Sequence, residues 1–411
     1  MLSKIIAAAT LVITSSPALA DWPQFLGPTR NGIALDTGLA RQWPPSGPPV
    51  LWRIELGAGF GGAAIRDGQI YMLDRIIDQR DALRVIDLES GQENWRFEYE
   101  ATGRTSYHGS RSTPAIDEQF VYTVGVFGHV YCIDHRARQP VWTKHLVEDL
   151  GASNPKFGFS QSPLLYGDLV ILTPLSDQAG VVALEKKTGN IRWQTAALGN
   201  LAYTSPLMAT IEGVDQIMVL GKPDIVGIDV NSGQILWRYA GFQCRAPIPS
   251  PTPVGNGRFF ITGGYNAGSM MIQIRKHDGR FEAYEDFWIP QYGAHIANPL
   301  FIKGLLFANC TTRRNKDGLV CIGLGGEINW LTGPMNHFDM GNMIGADGLI
   351  FLIHGKMGTL HLIEPNATGL RQLASAKLLD GEQIWAPLAI SDGKLVIRDQ
   401  HQMKCVDVRA K

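Results

Sequence analysis

The chain has 411 residues, of which 45% are hydrophobic and 18% are charged, and its 37 basic and 38 acidic residues give a formal net charge of −1. A balance so close to neutral argues against binding to nucleic acid or to an anionic membrane surface. The length exceeds the usual size of a single hydrophobic core, a limit that repeated architectures avoid because each repeat adds a core of its own.

The first twenty residues have the pattern of a secretory signal peptide. Lys4 supplies the charged start, an apolar run extends from Ile5 to Ile13, and Ala18-Leu-Ala20 is a small-residue cleavage site. The apolar run is shorter than the ~20 residues that span a bilayer, and no later segment is long and apolar enough. We therefore expect residues 1–20 to be removed near Ala20, leaving a periplasmic or secreted protein without a transmembrane segment.

Residues 21–49 precede all repeats and are predicted to form an N-terminal arm. The segment from Trp22 to Gly32 is too rich in Pro and Gly for a helix, while Trp22 and Phe25 need burial. We expect an ordered arm that packs on the following domain as a structural clasp.

From residue 85 onward one short motif recurs: a small residue, an acid two positions later, then Ser-Gly or Thr-Gly, and Trp four positions after the Gly. The pattern predicts a strand, a tight turn whose Gly adopts positive φ, and a second strand whose Trp packs against the neighbouring unit. Three complete copies and one eroded copy are Val85-Asp87-Ser90-Gly91-Trp95, Ala183-Glu185-Thr188-Gly189-Trp193, Gly227-Asp229-Ser232-Gly233-Trp237, and Cys132-Asp134-Trp142 with Ala137-Arg138 in the turn.

The motif repeats often enough to define a period and a fold. The acid position or its equivalent recurs at Asp87, Asp134, Glu185, Asp229, Arg275, Gly323, Glu364 and Asp407. These steps fall close to the roughly 40–50 residues of a propeller blade. Each unit fits four short antiparallel strands, so the sequence predicts an all-β fold, an eight-bladed β-propeller of four-stranded antiparallel blades.

The two ends of the repeat region predict how the ring closes. The chain stops soon after Asp407 with no Trp-bearing strand to follow, whereas Pro49–Glu55 has the sequence of just such an outer strand. We expect residues 50–55 to complete the last blade, which removes two exposed sheet edges. Residues 50–411 are then one propeller domain closed by an N-terminal strand.

Five cysteines are an odd number for an exported chain. Cys132 and Cys405 occupy the small-residue position of the repeat, which favours buried thiols. Cys310 and Cys321 flank the loop of one hairpin, and the sequence leaves open whether they form a disulfide.

The motif resembles the tryptophan-docking repeat of the pyrroloquinoline quinone (PQQ)-like β-propeller superfamily, which includes quinoprotein alcohol dehydrogenases and non-catalytic propellers of the BamB type. The opening Trp22-Pro-x-Phe25-x-Gly27 with Gly32 resembles an exported bacterial branch of that group. The resemblance implies a structural docking role for six residues: Trp52, Trp95, Trp142, Trp193, Trp237 and Trp330.

For chemistry the resemblance implies two alternatives. A quinoprotein dehydrogenase needs an acidic base, oxygen ligands for Ca²⁺ and a flat clamp for the quinone. The family's clamp of adjacent cysteines is absent from this sequence, and no acid before the blade openings marks a Ca²⁺ site. We therefore expect no cofactor and no metal, and PQQ with Ca²⁺, for alcohol or sugar oxidation at the channel mouth, is the alternative.

The segments that open the blades are polar, and in propellers that end of the channel is the usual binding face. They would suit a small polar or anionic ligand or a peptide, although Ser, Thr and Asn there also serve to satisfy backbone groups. The predicted ligand-binding residues at the channel mouth are His108, Arg111, Gln161, Tyr203, Arg245, His295, Asn298, His337, Asn342 and Trp385.

The sequence thus predicts a binding or protein-interaction scaffold of the periplasm or cell envelope, monomeric, with an envelope protein or a small polar ligand as its partner. Arg313, Arg314 and Lys316 on one hairpin tip are either a rim contact for that partner or an ordinary solvated loop.

Overall fold

The computed structural model describes residues 20–199, 203–311 and 317–411. The predicted signal peptide falls almost wholly on residues 1–19, and the basic hairpin tip falls on residues 312–316. Both therefore lie outside the described residues. Within the described part, no helix is long and apolar enough to cross a membrane.

Eight four-stranded antiparallel sheets form the described part of the chain, and contacts between innermost strands of successive sheets arrange them in a ring. We number them blades 1 to 8 in chain order. The prediction of an all-β, eight-bladed propeller is confirmed. The one helical element among the described residues is a 3₁₀ turn at Pro334–Asn336.

The strands of blades 1 to 4 are β2 (Ala64–Arg66), β3 (Gln69–Ile76), β4 (Arg80–Asp87), β5 (Glu93–Glu100), β6 (Ala115–Ile116), β7 (Phe120–Val124), β8 (His129–Asp134), β9 (Gln139–His145), β10 (Leu164–Tyr166), β11 (Leu169–Leu172), β12 (Val182–Glu185), β13 (Ile191–Gln194), β14 (Leu207–Ile211), β15 (Val214–Leu220), β16 (Ile225–Asp229) and β17 (Ile235–Tyr239). Those of blades 5 to 8 are β18 (Thr252–Gly255), β19 (Arg258–Gly263), β20 (Gly268–His277), β21 (Arg280–Ile289), β22 (Leu300–Ile302), β23 (Leu305–Cys310), β24 (Gly318–Ile322), β25 (Ile328–Leu331), β26 (Met343–Ala346), β27 (Leu349–Ile353), β28 (Thr359–Ile363), β29 (Gln372–Lys377), β30 (Ala389–Ser391), β31 (Lys394–Arg398) and β32 (Gln402–Asp407), with β1 (Val50–Glu55).

Blade 8 contains both ends of the repeat region. Strand β1 pairs antiparallel with β32, and the sheet order is β1-β32-β31-β30. Trp52 lies opposite Cys405 in this register. The predicted closure by an N-terminal strand is confirmed, and it leaves the last blade with the same four strands as the others.

The hydrophobic core is divided among the interfaces between blades. One cluster joins Tyr122 of blade 2 to Val170 of blade 3, and another joins Ile261 of blade 5 to Met218 of blade 4. Middle strands such as β7, β11 and β27 are buried on both faces because each lies between two neighbouring sheets. Each blade is therefore stabilised mainly by its neighbours, as in other repeat architectures.

Three tryptophans on outermost strands dock in one common way. The rings of Trp52, Trp142 and Trp193 cover the turn glycine of the next blade so closely that a Cβ atom on Gly91, Gly189 or Gly233 would lie 2.6–2.7 Å from a ring atom. Their indole N–H groups donate to the carbonyls of Leu88, Lys186 and Val230 at 2.8–3.0 Å. The ring is thus buried and its polar atom satisfied in the same contact.

The other three tryptophans depart from that arrangement. Trp330 still donates to the next turn, at the carbonyl of Asn366 (3.0 Å). Trp237 instead donates to Gln216 Oε1 of its own blade at 2.8 Å. Trp95 is half-buried, and the turn of the blade that follows it has Arg138, with φ of 58°, at the glycine position.

All five cysteines are free thiols, and four of them are buried. In the pairing of β23 with β24, Cys310 lies opposite Gly318 while Cys321 lies opposite Phe307. The two residues are therefore offset along the hairpin, and no disulfide joins them.

The N-terminal arm runs from blade 1 to blade 7 across the channel. Trp22 forms a bridge to Ile65 of β2, and Ile33 forms one to Gly345 of β26. Between them, the buried guanidinium of Arg30 donates to two backbone carbonyls in the segment that opens blade 3. The arm is thus held by three separate blades and spans the channel between them.

Candidate functional site

A cavity of about 210 Å³ lies at the end of the channel where the blade-opening segments converge. We call it the channel mouth. Every blade contributes at least one residue to its lining, and the arm contributes one more. The lining residues are Phe25, Phe60, Tyr107, Arg111, Phe157, Ser160, Tyr203, Ser205, Ile248, Tyr265, His295, Ile296, Asn298, Met340, Asn342, Trp385 and Pro387.

One side of the mouth is a continuous arc of aromatic rings, which we call the aromatic arc. Trp385 stacks on Phe60 with ring centroids 5.5 Å apart, and Phe60 meets Tyr107 edge to face at 6.1 Å. The arc continues from Tyr107 to Phe157 at 6.0 Å and from Phe157 to Tyr203 at 5.7 Å. Five blades in succession thus supply one ring each. Such pairs are rigid apolar surfaces with preferred geometry, suited to a flat apolar group.

Arg111 lies within this arc. Its guanidinium carbon is 5.4 Å from the centroid of the Phe60 ring, a cation–π contact. Its nitrogens donate to backbone carbonyls of Gly109 and Tyr107 and to the Thr105 hydroxyl. Among the described residues it has no carboxylate partner, and burial lowers the pKa of Arg111 to about 10. The mouth therefore carries a partly desolvated cation that no protein anion neutralises.

A second polar group faces the arc across the mouth. The His295 ring contacts the Tyr265 ring edge to face at 4.4 Å, and burial lowers the pKa of His295 below its usual range. The guanidinium of Arg245 lies over the same Tyr265 ring, 5.5 Å from its centroid. Arg245 has no acidic partner among the described residues, so the wall behind Tyr265 also has an excess of positive charge.

The serines and asparagines that open the blades hold neighbouring blades together. Thr113 N–H donates to Ser162 Oγ, and Ser162 N–H donates to Ser205 Oγ, both at 2.9 Å. Asn298 continues this chain, because its side-chain nitrogen donates to the carbonyl of Ser250 at 2.8 Å. These side chains satisfy backbone groups of the innermost strands and do so through the adjacent blade.

Six of the ten residues predicted for the mouth line it in the structure: Arg111, Tyr203, His295, Asn298, Asn342 and Trp385. The other four lie elsewhere. Gln161 is buried and bonds the backbone of Thr173 through both ends of its amide. His108 is exposed beside Asp78, 3.1 Å away. Arg245 packs behind Tyr265, and His337 has its ring against His354.

Most of the aromatic lining was not predicted from the sequence. Phe60, Phe157, Tyr265 and Phe25 were not predicted as mouth residues. A signal existed in two blades, where an aromatic residue (Tyr107 or Phe157) stands five positions before the serine that opens the first strand. Phe25 carried no such signal, because it reaches the mouth from the arm.

The lining does not fit a calcium ion that holds a quinone. Ca²⁺ prefers carboxylate oxygens, and the mouth is lined by no Asp or Glu among the described residues. Residues 1–19, 200–202 and 312–316 contain no acidic residue either. The two lining amides, Asn298 and Asn342, donate their nitrogens to backbone carbonyls, and the oxygen of Asn298 already accepts from Ser250 N–H. In the described part of the chain, no group of three His, Cys, Asp or Glu side chains could hold a metal ion.

A larger groove of about 770 Å³ lies at the turns that follow the innermost strands of blades 2 and 3. Its four basic and four acidic lining residues balance, and several are paired: Lys186 lies 3.1 Å from Asp117, and Arg192 contacts Asp168 and Glu185. The groove thus lacks the unbalanced charge of the mouth, and among the described residues its one aromatic lining residue is Phe120.

Comparisons with known proteins agree with this architecture. The family model described as outer membrane protein assembly factor BamB matches residues 79–283. No curated protein matches the chain.

Three solved structures show the range of proteins with a similar fold. BamB from Moraxella catarrhalis is 14% identical with a TM-score of 0.61, covering 87% of this chain and 99% of its own. Quinohemoprotein alcohol dehydrogenase from Comamonas testosteroni is 11% identical with a TM-score of 0.65, covering 95% and 81%. The computationally designed protein Ika8 is 10% identical with a TM-score of 0.57, covering 87% and 98%. At these identities the likeness shows the fold alone.

Proposed function

The chain belongs to the PQQ-like β-propeller repeat family, and from that premise we propose that it is a binding protein whose channel mouth receives a ligand or a side chain of a protein partner. One observation carries the proposal: all eight blades and the arm contribute to a single cavity that has an aromatic wall and an unpaired cation. Concave, largely apolar cavities with a few convergent polar groups are the usual form of a binding site.

The partner we propose belongs to the periplasm or the cell envelope. Support comes from the signal-like sequence of residues 1–20 and from the family description, which names an outer membrane assembly factor. A rigid ring of eight blades offers a broad face around the mouth, so a protein partner can cover the rim while one of its groups enters the cavity. We expect the chain to act as a monomer.

The second candidate is a PQQ- and Ca²⁺-dependent dehydrogenase of alcohols or sugars, and the fold shared with a quinohemoprotein alcohol dehydrogenase favours it. Bound PQQ would supply the oxidising power for such a reaction. Against it stands the chemistry of the lining, which offers neither a carboxylate base nor carboxylate ligands for the ion.

A titration with PQQ separates the two candidates. The melting temperature of the purified chain is measured at increasing PQQ, with and without Ca²⁺, followed by a dye-linked assay of alcohol oxidation. The binding-protein account predicts no Ca²⁺-dependent rise in melting temperature and no turnover. A saturable, Ca²⁺-dependent rise together with turnover would establish the dehydrogenase instead.

The binding role is tested by retention of envelope components on the immobilised protein. The variant Tyr107→Ala/Trp385→Ala removes two rings of the aromatic arc, and Trp288→Ala is the control because that ring lies on the outer strand β21 and is 54% exposed. We expect a component retained by the native protein and by the control to be lost from the double variant. Equal retention by all three would contradict a site at the mouth.

A further inference from the structure

We propose that the channel mouth selects a group in which a single aromatic ring is joined to a carboxylate, with the ring against the aromatic arc and the carboxylate on Arg111. The inference rests on the proposed function, because it names the chemistry of the ligand for that same cavity. Two sources share this chemistry: a free aryl acid, and a polypeptide that ends in an aromatic residue with its free C-terminal carboxylate.

The charge of the mouth favours an anion. Arg111 lines the mouth over the Phe60 ring, Arg245 lies behind the lining residue Tyr265, and neither arginine has an acidic partner among the described residues. The cavity lining contains no carboxylate that could balance them. Most other arginines of the outer surface are paired, as Arg192 is with Asp168 and Glu185. An unbalanced pair of cations at a concave apolar surface attracts anions, since the surrounding low dielectric strengthens the field.

Arg111 also has the donors that a carboxylate needs. A guanidinium has five N–H groups, and the three hydrogen bonds that Arg111 makes to Gly109, Tyr107 and Thr105 leave its Nε–H and one N–H of Nη1 without a protein acceptor. These three bonds and the Phe60 ring fix the orientation of the guanidinium before any ligand arrives. These two donors lie on different edges of the guanidinium, because Nη1 is on the same side as Cδ, so each can donate one charge-assisted hydrogen bond to a carboxylate oxygen.

The aromatic arc and the cavity size specify what is attached to the anion. The rings from Trp385 to Tyr203 form an unbroken apolar wall on both sides of Arg111. A cavity of about 210 Å³ is smaller than the roughly 300–1,000 Å³ that holds a drug-sized molecule. One ring with a short acidic arm therefore fits the space better than a fused polycyclic ligand.

The burial of the Arg111 guanidinium also favours the binding of an anion. It lowers the pKa of Arg111 to about 10, which means that the protein alone stabilises the charged form less than water does. A carboxylate bound to the guanidinium would replace that lost solvation.

The test is a calorimetric titration of the purified full chain with matched probes. The free-acid arm compares 3-phenylpropanoate with its primary amide, up to about 10 mM ligand. The peptide arm compares a pentapeptide of four glycines and a C-terminal phenylalanine, with a free carboxylate, with the same peptide ending in an amide. We expect at least one acid to bind about 10-fold or more tightly than its amide, because a hydrogen bond to a charged group is lost in the amide. The acid that binds more tightly shows whether the natural ligand is a free aryl acid or the C-terminus of a polypeptide.

Two variants connect the binding to Arg111. Arg111→Gln is expected to weaken the acid about 10-fold or more while leaving the affinity for the amide nearly unchanged. Arg111→Lys retains the charge but not the planar, fixed set of donors, and we expect an intermediate loss. Arg192→Gln is the control, since it removes the same charge from the groove of paired charges, on the outermost strand β13 and away from the mouth. Melting of each unliganded variant verifies that it is folded.

The outcomes separate this inference from the function on which it rests. Equal affinity for acid and amide, or an unchanged preference in Arg111→Gln, would overturn the inference and leave the mouth as a binding site for neutral aromatic groups. Absence of binding by every probe would also overturn it, whereas the retention experiment with the double variant would still decide whether the mouth is used.

Discussion

Three tryptophan docks on the outermost strands repeat one contact with a turn glycine, whereas the residues that line the channel mouth vary from blade to blade. At the docks, Trp142 and Trp193 meet a turn glycine and a carbonyl in nearly the same geometry. At the mouth, the equivalent openings supply Tyr107 in one blade, His295 in another and Trp385 in a third.

The difference follows from what each region must do. A dock solves the same packing problem at each interface between neighbouring blades, so the same solution serves many times. A ligand without eightfold symmetry needs different groups on different sides. The docks should therefore control stability with little effect on binding, and the mouth should control binding with little effect on stability.

The largest effect is expected from removing the closing strand. A chain that starts at Arg53 loses half of β1 and Trp52, so β32 becomes an exposed edge and Gly91 loses its cover. We predict aggregation or loss of a cooperative melt. A chain that starts at Pro48 is the control, because it lacks the arm but keeps all of β1. If the two chains melt alike, closure does not depend on β1.

The next effect is expected at a single dock. Trp193 is 9% exposed and is bonded to Val230, so Trp193→Ala should lower the free energy of unfolding by about 3–5 kcal/mol. The control Trp288→Ala removes a ring that is 54% exposed and should cost less than about 1 kcal/mol. Denaturant unfolding measures both. A loss below about 1 kcal/mol for Trp193→Ala would contradict the structural role of the dock.

Alanine variants of two glycines measure the contact beneath the Trp193 ring. Gly233 and Gly213 both have φ of 74°, but a Cβ at Gly233 would lie 2.6 Å from the Trp193 ring, while one at Gly213 meets nothing within 4 Å. Both alanine variants incur the backbone cost of about 1–2 kcal/mol. Gly233→Ala should cost about 1–3 kcal/mol more, by overpacking. Equal losses of unfolding free energy in the two variants would show that the Trp193 ring can move away at no cost, which would contradict a tightly packed dock.

The smallest effect concerns pH. Burial lowers the pKa of His129, His295 and His361 below the usual value of 6.5. The unfolded chain therefore binds more protons than the folded one below about pH 6.5, and stability should fall as the pH falls through that value. Denaturation at pH 7.5 and 5.5 measures the slope, and His361→Asn, away from the mouth, should make it shallower. Buried carboxyls such as Asp81 have raised pKa values and contribute a slope of the opposite sign. The difference between the native chain and His361→Asn is therefore the test, and an equal slope in both would contradict the burial of this imidazole.

Repetition explains how much of the fold the sequence predicted. The eight blades and the closing strand could be found because the motif around Trp193 recurs at a regular spacing and Trp52 stands in an otherwise unexplained copy. Trp237 departs from the pattern because the next hairpin has two ten-residue strands, β20 and β21, and its turn glycine Gly279 has no ring near it. The length of these strands depends on tertiary packing, so the local motif did not predict it.

The mouth was less predictable because its residues are brought together only by ring closure. Arg111 and Trp385 were found from their position before a first strand, but the same rule also selected Gln161, which braces Thr173 inside the wall. Phe25 could not be found by any rule based on the blades, since its place depends on how the arm crosses the channel. Side-chain direction at a loop is set by contacts that no local pattern specifies.

The most direct test of the central claim is hydrogen–deuterium exchange of the purified chain with and without a saturating concentration of 3-phenylpropanoate or of the pentapeptide acid, whichever binds more tightly. If the non-repeated residues form one binding site, protection will appear in the segments before β2, β6, β10, β14 and β30 and will leave the turns under Trp142 and Trp193 unchanged. Protection confined to those turns or to the outer strands, or no protection at any segment, would contradict the account.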